Sequence, residues 1–419
     1  MSGLELKSYA ELLKLGRLLS EPPERLRYLA RLEPDQLREL RELATDVHYD
    51  SDHDRFKRIA FASMLLPTGL TALIARKAFG ALLCARIAGV LNTDHAIALA
   101  AHMPAEFLAD LAVELDPRRA RAIIAGMPPE QIGEVAEVLA ARGEFVAMGR
   151  FVGHMTDEAI TRSLAVIDEP SLLRISYVLE GDEGLERVIR LMSSAQLESA
   201  IRAATDHDLW PEALDLLGRI SQQLAGELGD LAAGEDDRVL AGMVETAERD
   251  ALWDVVLPVT RAMSDAGRRR FAAVPAIHKP EVLVSIVRSA MLGDSWLELL
   301  PLVPLLPREA QLQVWAEVVA FAARLPEATL RRMASDAMSL GIDDMLPDIV
   351  CTTQATGLWE PGLRLLASLG PDLQQQLAPV AADLPADQRG EALARARALG
   401  LADELGPLRA ALGDGQRGV

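Results

Sequence analysis

Tryptophans recur at a fixed interval through the second half of this chain. Trp210, Trp253 and Trp296 lie 43 residues apart, and Trp359 follows after another 63. Each has a leucine four residues on, and each has an apolar residue ten positions on that is followed by a residue typical of helix starts or breaks. A period near 43 is typical of HEAT- and armadillo-sized helix–turn–helix repeats, which bury their apolar faces only by stacking on one another.

The chain is therefore predicted to be all-α, an α-solenoid with a period of about 43 residues in its C-terminal half. Half of the 419 residues are apolar and only 4% are aromatic, so Ala and Leu, which favour helices, supply most of the apolar surface. We expect the four tryptophans to occupy equivalent buried positions in the seams between repeats. The longer last interval equals one repeat plus one extra helix, which we place between Pro326 and Gly357.

Four segments of different character are predicted along the chain. Residues 1–58 form an N-terminal helical cap that begins with three short helices, and residues 59–101 form an apolar helical pair. Residues 102–208 form a stack of short helices, and residues 209–419 carry the tryptophan-marked repeats. The last two segments are also compatible with one continuous solenoid.

Helix starts that combine proline with an acidic residue recur in the third segment. Met103-Pro104-Ala105-Glu106 and Met127-Pro128-Pro129-Glu130 place a glutamate in the first helical turn, where it stabilises the helix dipole. Over about residues 103–200 this pattern resembles the cytosolic N-terminal superhelical domain of MgtE-type magnesium transporters. The resemblance implies a superhelix with a docking or regulatory role. It does not imply magnesium transport, because the sequence shows no counterpart of that family's nucleotide-sensing domains or transmembrane bundle.

Residues 59–101 are the most apolar part of the chain. Residues 59–75 carry no charge, but a Pro-Thr-Gly turn at 67–69 interrupts the run, and a membrane-spanning helix needs about 20 apolar residues. We expect an ordinary buried helical pair, in which six large side chains pack against neighbouring helices: Met64, Leu65, Leu66, Leu70, Leu73 and Ile74. The alternative is an interfacial or lipid-contacting hairpin, which basic residues such as Arg76 and Lys77 favour.

The net charge of the chain is −19. Nucleic acid is a poor partner for such a chain, because phosphate binding needs clustered cations, whereas a basic or amphipathic protein partner fits it. Cys84 and Cys351 are far apart in apolar surroundings, and we interpret both as buried thiols in a reducing compartment. The N-terminus has no basic stretch followed by an apolar run, so we expect no secretory signal and a cytoplasmic location.

No motif for nucleotide binding, hydrolysis or structural zinc is present in the sequence. A weak candidate for metal binding is the most polar short segment, with His48, Asp50, Asp52, His53 and Asp54. Its alternating acids resemble the start of a calcium loop, but the sixth and twelfth positions are Arg55 and Phe61 instead of Gly and Glu. We therefore predict a solvated loop between helices, with no metal and no cofactor.

Two further groups of polar residues are weak candidates for a catalytic site. Asp343, Asp344 and Asp348 resemble the aspartate-rich motif of all-α terpene synthases, but the second, asparagine-containing motif is missing and a proline interrupts the helix. His95 and His102 are seven residues apart and share a face if one helix holds both. Capping of helix ends is the role that we expect for them.

These features predict a non-catalytic α-solenoid that acts as a scaffold or adaptor for a protein partner. The alternative is a carrier or sensor of an apolar or lipid ligand that works through residues 59–101, peripheral at a membrane. The third hypothesis is that the protein is an enzyme of an unfamiliar type.

Overall fold

The computed structural model describes residues 3–19, 21–50, 53–293, 295–322 and 359–413, together with Leu325, Thr329 and Arg332. Every regular element in these residues is helical, which confirms the predicted all-α, repeat-type fold. The chain forms two compact units, Met1–Glu235 and Asp236–Val419. The division falls one pair of helices after the boundary that we placed at residue 208.

The N-terminal unit consists of short α-helices joined by tight turns. Its helices are α1 (Gly3–Leu19), α2 (Pro34–Asp50), α3 (His53–Ser63), α4 (Thr68–Ile74), α5 (Gly80–Ala88), α6 (Thr93–Ala100), α7 (Ala105–Glu114), α8 (Arg121–Gly126), α9 (Pro129–Ala141), α10 (Phe145–Phe151), α11 (Asp157–Leu164), α12 (Glu169–Val178), α13 (Asp182–Leu191), α14 (Ser194–Asp206), α15 (Trp210–Leu217) and α16 (Gln222–Ala233). Two 3₁₀ helices, Pro23–Arg31 and Val152–His154, and a π-helix, Ala75–Phe79, complete it.

From α3 onwards, helices of this unit pack mainly on the helix two positions further along the chain. One row contains α3, α5, α7, α9, α11 and α13, and the other contains α4, α6, α8, α10, α12, α14 and α16, in which α8 contacts the 3₁₀ helix Val152–His154 that follows α10. The helices of the rows are between six and 13 residues long. Isolated helices of this length are unstable in water, so each depends on its neighbours to bury its apolar face.

The N-terminal segment, residues 3–50, packs on the middle of these rows. It has a small apolar core of its own, formed by Leu12, Leu15, Leu26 and Leu37. Helix α1 contacts α10, α12 and α15, and ion pairs join Arg17 to Glu144 at 2.8 Å and Arg41 to Glu180 at 2.9 Å. The described contacts of this segment therefore lie on helices in the middle of the rows.

The C-terminal unit contains helices in groups of three. Its helices are α17 (Asp237–Asp250), α18 (Trp253–Ala262), α19 (Asp265–Ala272), α20 (Pro280–Leu292), α21 (Trp296–Leu299), α22 (Arg308–Ala322), α23 (Trp359–Ser368), α24 (Pro371–Ala382), α25 (Ala386–Ala398) and α26 (Gly406–Gly413), with 3₁₀ helices at Pro275–His278 and Val303–Leu305. Between Trp253 and Trp296 lie three α-helices, so this repeat is a helical triplet, whereas the sequence suggested a helix–turn–helix pair. The predicted insertion at 326–357 lies outside the described residues, apart from Thr329 and Arg332.

All four marker tryptophans are buried at the first residue of a helix. Trp210, Trp253, Trp296 and Trp359 begin α15, α18, α21 and α23 and are 4%, 2%, 5% and 7% exposed. In all four cases the next α-helix begins at the residue after the predicted helix-start or helix-break position. The 43-residue spacing therefore corresponds to a repeated position in the helical pattern.

One backbone turn precedes each of the first three tryptophans. The N–H of the residue before the tryptophan donates to an alanine carbonyl five residues earlier, at 2.8 to 2.9 Å, and those alanines are fully buried. The pairs are Leu209 with Ala204, Leu252 with Ala247, and Ser295 with Ala290. This bond is part of the Schellman motif, which ends a helix with a left-handed residue. Asp208 and Ala251 hold that position, with φ of 53° and 57°.

The same turn occurs before Phe145 in the N-terminal unit. Gly143 has φ 71°, and the N–H of Glu144 donates to the carbonyl of Leu139 at 3.0 Å. Phe145 then begins α10, as the tryptophans begin their helices. The two units therefore share one device for ending a helix and starting the next.

Replacing Trp253 by alanine is expected to lower the free energy of unfolding by about 3–5 kcal/mol, because it empties a large core site. The indole N–H also donates to Glu248 at 3.0 Å, and this bond is lost as well. Urea denaturation measures the change. Leu292→Ala is the control, since Leu292 is exposed on α20 and its loss should cost less than about 0.5 kcal/mol. Equal effects of the two substitutions would contradict the packing role of the tryptophan.

Replacing Ala251 by glycine is expected to stabilise the protein. A non-glycine residue in the left-handed region costs about 1–2 kcal/mol, and the greater freedom of unfolded glycine offsets about 0.4–1 kcal/mol of the gain. We expect a net increase of about 0.5–1 kcal/mol in the free energy of unfolding. Ala394→Gly, at an exposed position within α25, should lower it by about 0.5–1 kcal/mol. Destabilisation by both substitutions would show that the turn is not strained.

Candidate functional site

An apolar cavity of about 330 Å³ lies in the N-terminal unit. Side chains from both helix rows line it, from Ile59 in α3 to Val188 in α13. Its walls include large apolar residues such as Leu111, Phe151 and Leu172. The cavity therefore extends well beyond residues 59–101, the segment that the sequence marks as apolar.

Three of the four hydroxyl groups in the cavity wall already have partners, and the fourth belongs to Ser176. The hydroxyls of Ser63, Thr71 and Ser163 donate to nearby backbone carbonyls at 2.7, 3.2 and 2.9 Å. A hydroxyl that has donated its proton cannot donate to a ligand and offers it only an acceptor oxygen. The wall therefore suits a ligand without polar groups.

Cys84 also lines the cavity, and its thiol lies 3.5 Å from the carbonyl oxygen of Ala75. Burial raises the pKa of the Cys84 thiol to about 11. At neutral pH the thiol therefore stays protonated, and a protonated thiol is a poor nucleophile and a poor metal ligand. Cys84 is a buried apolar residue, as the sequence predicts, and Cys351 lies outside the described residues.

Large apolar side chains are exposed together beside this cavity. Thirteen such side chains are exposed among the described residues, and eight of them lie within 22 residues of sequence, so their exposure is not scattered. We define these eight as the apolar patch: Phe61, Met64, Leu65, Leu66, Leu70, Leu73, Phe79 and Leu82, which are between 41% and 73% exposed. The prediction that the six side chains from Met64 to Ile74 named above are mostly buried is therefore wrong, and only Ile74 of the six is half-buried.

The patch is exposed because of its place in the helix rows. Its residues lie on α3, α4 and α5 and in the connections between them, where the two rows begin. The chain before them packs on the middle of the rows and does not cover them as a cap would. Between α4 and α5 the chain forms the π-helix Ala75–Phe79, which ends at Gly80 with φ 74°. A single π-helical turn inside a helical segment is frequent at functional sites.

The patch and the cavity share side chains. Leu66 and Phe79 line the cavity and are 43% and 41% exposed, and the small side chain of Ala62 also does both. These three residues mark the mouth of the cavity. An apolar surface therefore continues without a polar barrier from the outside of α4 into the interior of the unit.

His95 and His102 hold the connection between α3 and α4 in place. The hydroxyl of Ser63, the last residue of α3, lies 3.2 Å from Nε2 of His95. The hydroxyl of Thr68, the first residue of α4, lies 3.2 Å from Nε2 of His102. Both histidines thus fasten helix ends beside the patch, which is close to the capping role that we expected.

The weak metal candidate cannot be assembled from the described side chains. Asp54 is described and exposed, whereas the side chains of His48, Asp50, Asp52 and His53 lie outside the described residues. The aspartates at 343, 344 and 348 lie outside them too. Within the described part of the chain, no group of three or more His, Cys, Asp or Glu side chains is placed to hold a metal ion.

No protein-family model matches this chain, and no curated protein is significantly similar to it in sequence. The resemblance of residues 103–200 to MgtE-type domains therefore stays a prediction. Among the described helices, none combines the length and the apolar character that crossing a membrane requires.

Chelation is expected to leave the melting temperature of the protein unchanged. The segment from His48 to Asp54 lacks the ligand pattern of a structural metal site, and loss of such a metal normally unfolds its domain. Differential scanning fluorimetry with and without excess EDTA measures this. A clear drop in melting temperature, reversed by added calcium or zinc, would show that this segment binds a metal.

Proposed function

We propose that the N-terminal unit binds one apolar chain, such as the acyl chain of a lipid, in the cavity between its helix rows. The observation that carries the proposal is the cavity of about 330 Å³ with its apolar wall and its mouth at Leu66 and Phe79. Its volume lies within the range of about 300–1,000 Å³ that is common for small-molecule sites. The proposal favours the carrier or sensor reading of the sequence over the scaffold reading.

The energetics of such binding follow from apolar burial. Each methylene group that leaves water gains about 0.8 kcal/mol. A cavity in an apolar core costs about 24 cal/mol per Å³, so a chain that fills it also stabilises the fold. No buried charge lies in the cavity wall, so selectivity comes from the length and shape of the chain.

The scaffold hypothesis remains as the second prediction. It requires a basic or amphipathic protein partner and, like the cytoplasmic location, rests on the acidic sequence. Native mass spectrometry of protein purified from its own host separates the two readings. A retained lipid supports the carrier, whereas a stoichiometric protein partner without lipid supports the scaffold and contradicts the proposal.

Blocking the mouth of the cavity should abolish ligand binding. Ala62→Trp places an indole at a position that is exposed and lines the cavity, so it should weaken binding of a fluorescent fatty acid at least about tenfold without unfolding the protein. Ala125→Trp is the matched control, because Ala125 is an exposed helical alanine of α8 that does not line the cavity.

Fluorescence titration of the two variants and the parent gives the dissociation constants. The parent and Ala125→Trp should bind equally well and should melt at higher temperature with the fatty acid. Failure of the parent to bind, or equal binding by Ala62→Trp, would overturn the proposal.

A further inference from the structure

The apolar patch carries a charge signature that is opposite to that of the whole chain. From Arg55 to Thr93 the sequence has six Lys or Arg residues and no Asp or Glu, although the chain as a whole has a net charge of −19. Five of the six basic residues are exposed: Arg55, Lys57, Arg58, Arg76 and Lys77. Two of them, Arg76 and Lys77, lie on the π-helix between patch residues Leu73 and Phe79.

We propose that the apolar patch, with these basic residues, docks on the surface of an anionic lipid bilayer. Exposed leucines and phenylalanines gain free energy by entering the boundary between headgroups and acyl chains, and nearby cations are attracted to anionic headgroups. A contiguous apolar surface of this kind marks an interaction site, unlike single exposed apolar residues.

The charge distribution favours a membrane over an acidic protein partner. A flat anionic bilayer repels the acidic remainder of the chain and attracts residues 55–93, which carry basic residues without any acidic ones, and this favours one orientation of the N-terminal unit on the surface. The side chains best placed to insert are the most exposed of the patch, Leu65 and Phe61, at 73% and 63%.

Docking in this orientation brings the mouth of the cavity to the lipid. Leu66 and Phe79 belong to both the patch and the cavity wall. An acyl chain can then pass between bilayer and cavity without crossing water, which would cost about 0.8 kcal/mol per exposed methylene. This last step rests on the proposed function, whereas docking itself does not.

The fold holds the docking elements in place instead of leaving them loose. The hydrogen bonds of Ser63 with His95 and of Thr68 with His102 fasten the connection between α3 and α4 to α6 and the turn that follows it. The side chains of the patch therefore project from short helices whose connection is held by hydrogen bonds. Preordered apolar residues lose less conformational entropy when they insert than a flexible loop does.

Flotation of the full chain with lipid vesicles tests the docking. The parent should float with vesicles of phosphatidylcholine containing about 30% phosphatidylserine, and binding should fall with pure phosphatidylcholine or in about 0.5 M NaCl. The double variant Leu70→Asp, Leu73→Asp should lose at least about tenfold in partitioning, because carboxylates replace the inserting side chains. Its control is Leu40→Asp, Leu43→Asp, which changes two exposed leucines of α2 and should float like the parent.

A second pair of variants tests the charges. Arg76→Glu with Lys77→Glu should reduce flotation at least about tenfold, whereas Arg27→Glu with Arg31→Glu changes the net charge equally and should not. None of these eight residues lines the cavity.

Fatty-acid binding in solution by the Leu70→Asp, Leu73→Asp variant separates the two proposals. Retained fatty-acid binding with lost flotation supports docking and leaves the cavity proposal intact. Flotation by the parent without fatty-acid binding supports docking and contradicts the proposal that the cavity binds an acyl chain. Docking would be overturned if the parent did not float, or if both patch variants floated like the parent. It would also be overturned if the parent were a dimer that the Leu70→Asp, Leu73→Asp variant converts to a monomer, because the patch would then serve self-association.

Discussion

The packing of each short helix on the helix two positions along the chain is the interaction on which the N-terminal unit depends. None of these helices is long enough to be stable alone, so their apolar faces must be covered by neighbours. This kind of packing leaves two places where coverage is incomplete. One is the space between the rows, where side chains of the two rows do not meet. The other is the start of each row, where the first helix has no preceding helix of its row to cover it.

Both incomplete places are found in one region of this protein. The cavity lies between the rows, and the apolar patch lies at their start, and they meet at Leu66 and Phe79. Natural solenoids normally end in helices with a polar outer face, which keeps them soluble. Here the N-terminal segment is occupied elsewhere, since ion pairs such as Arg41 with Glu180 hold it on the middle of the rows. The proposed lipid ligand and the proposed membrane surface both rest on this exposed apolar surface.

The C-terminal unit is built more regularly. Its repeats use a buried tryptophan at the start of a helix and a Schellman-type turn before it, in which Ala251 accepts a left-handed conformation that costs free energy. Trp210 in the N-terminal unit follows the same turn, with Asp208 in the left-handed position. The alanine-rich helices around Ala112 and Ala136 in the N-terminal unit line the cavity between the rows.

The helical class, the tryptophan positions and the turn residues follow from the sequence alone, because spacing along the chain decides which side chains share a helix face. The third helix of each repeat was missed, since its apolar pattern has no marker as distinctive as Trp253. The sequence also located the apolar, base-flanked segment at 59–101, but it could not say whether another surface covers it. The tertiary structure decided this point. Leu65 and Leu70 resemble core residues in the sequence, but they lie where the helix rows begin and are exposed, while helix α1 packs on α10, α12 and α15.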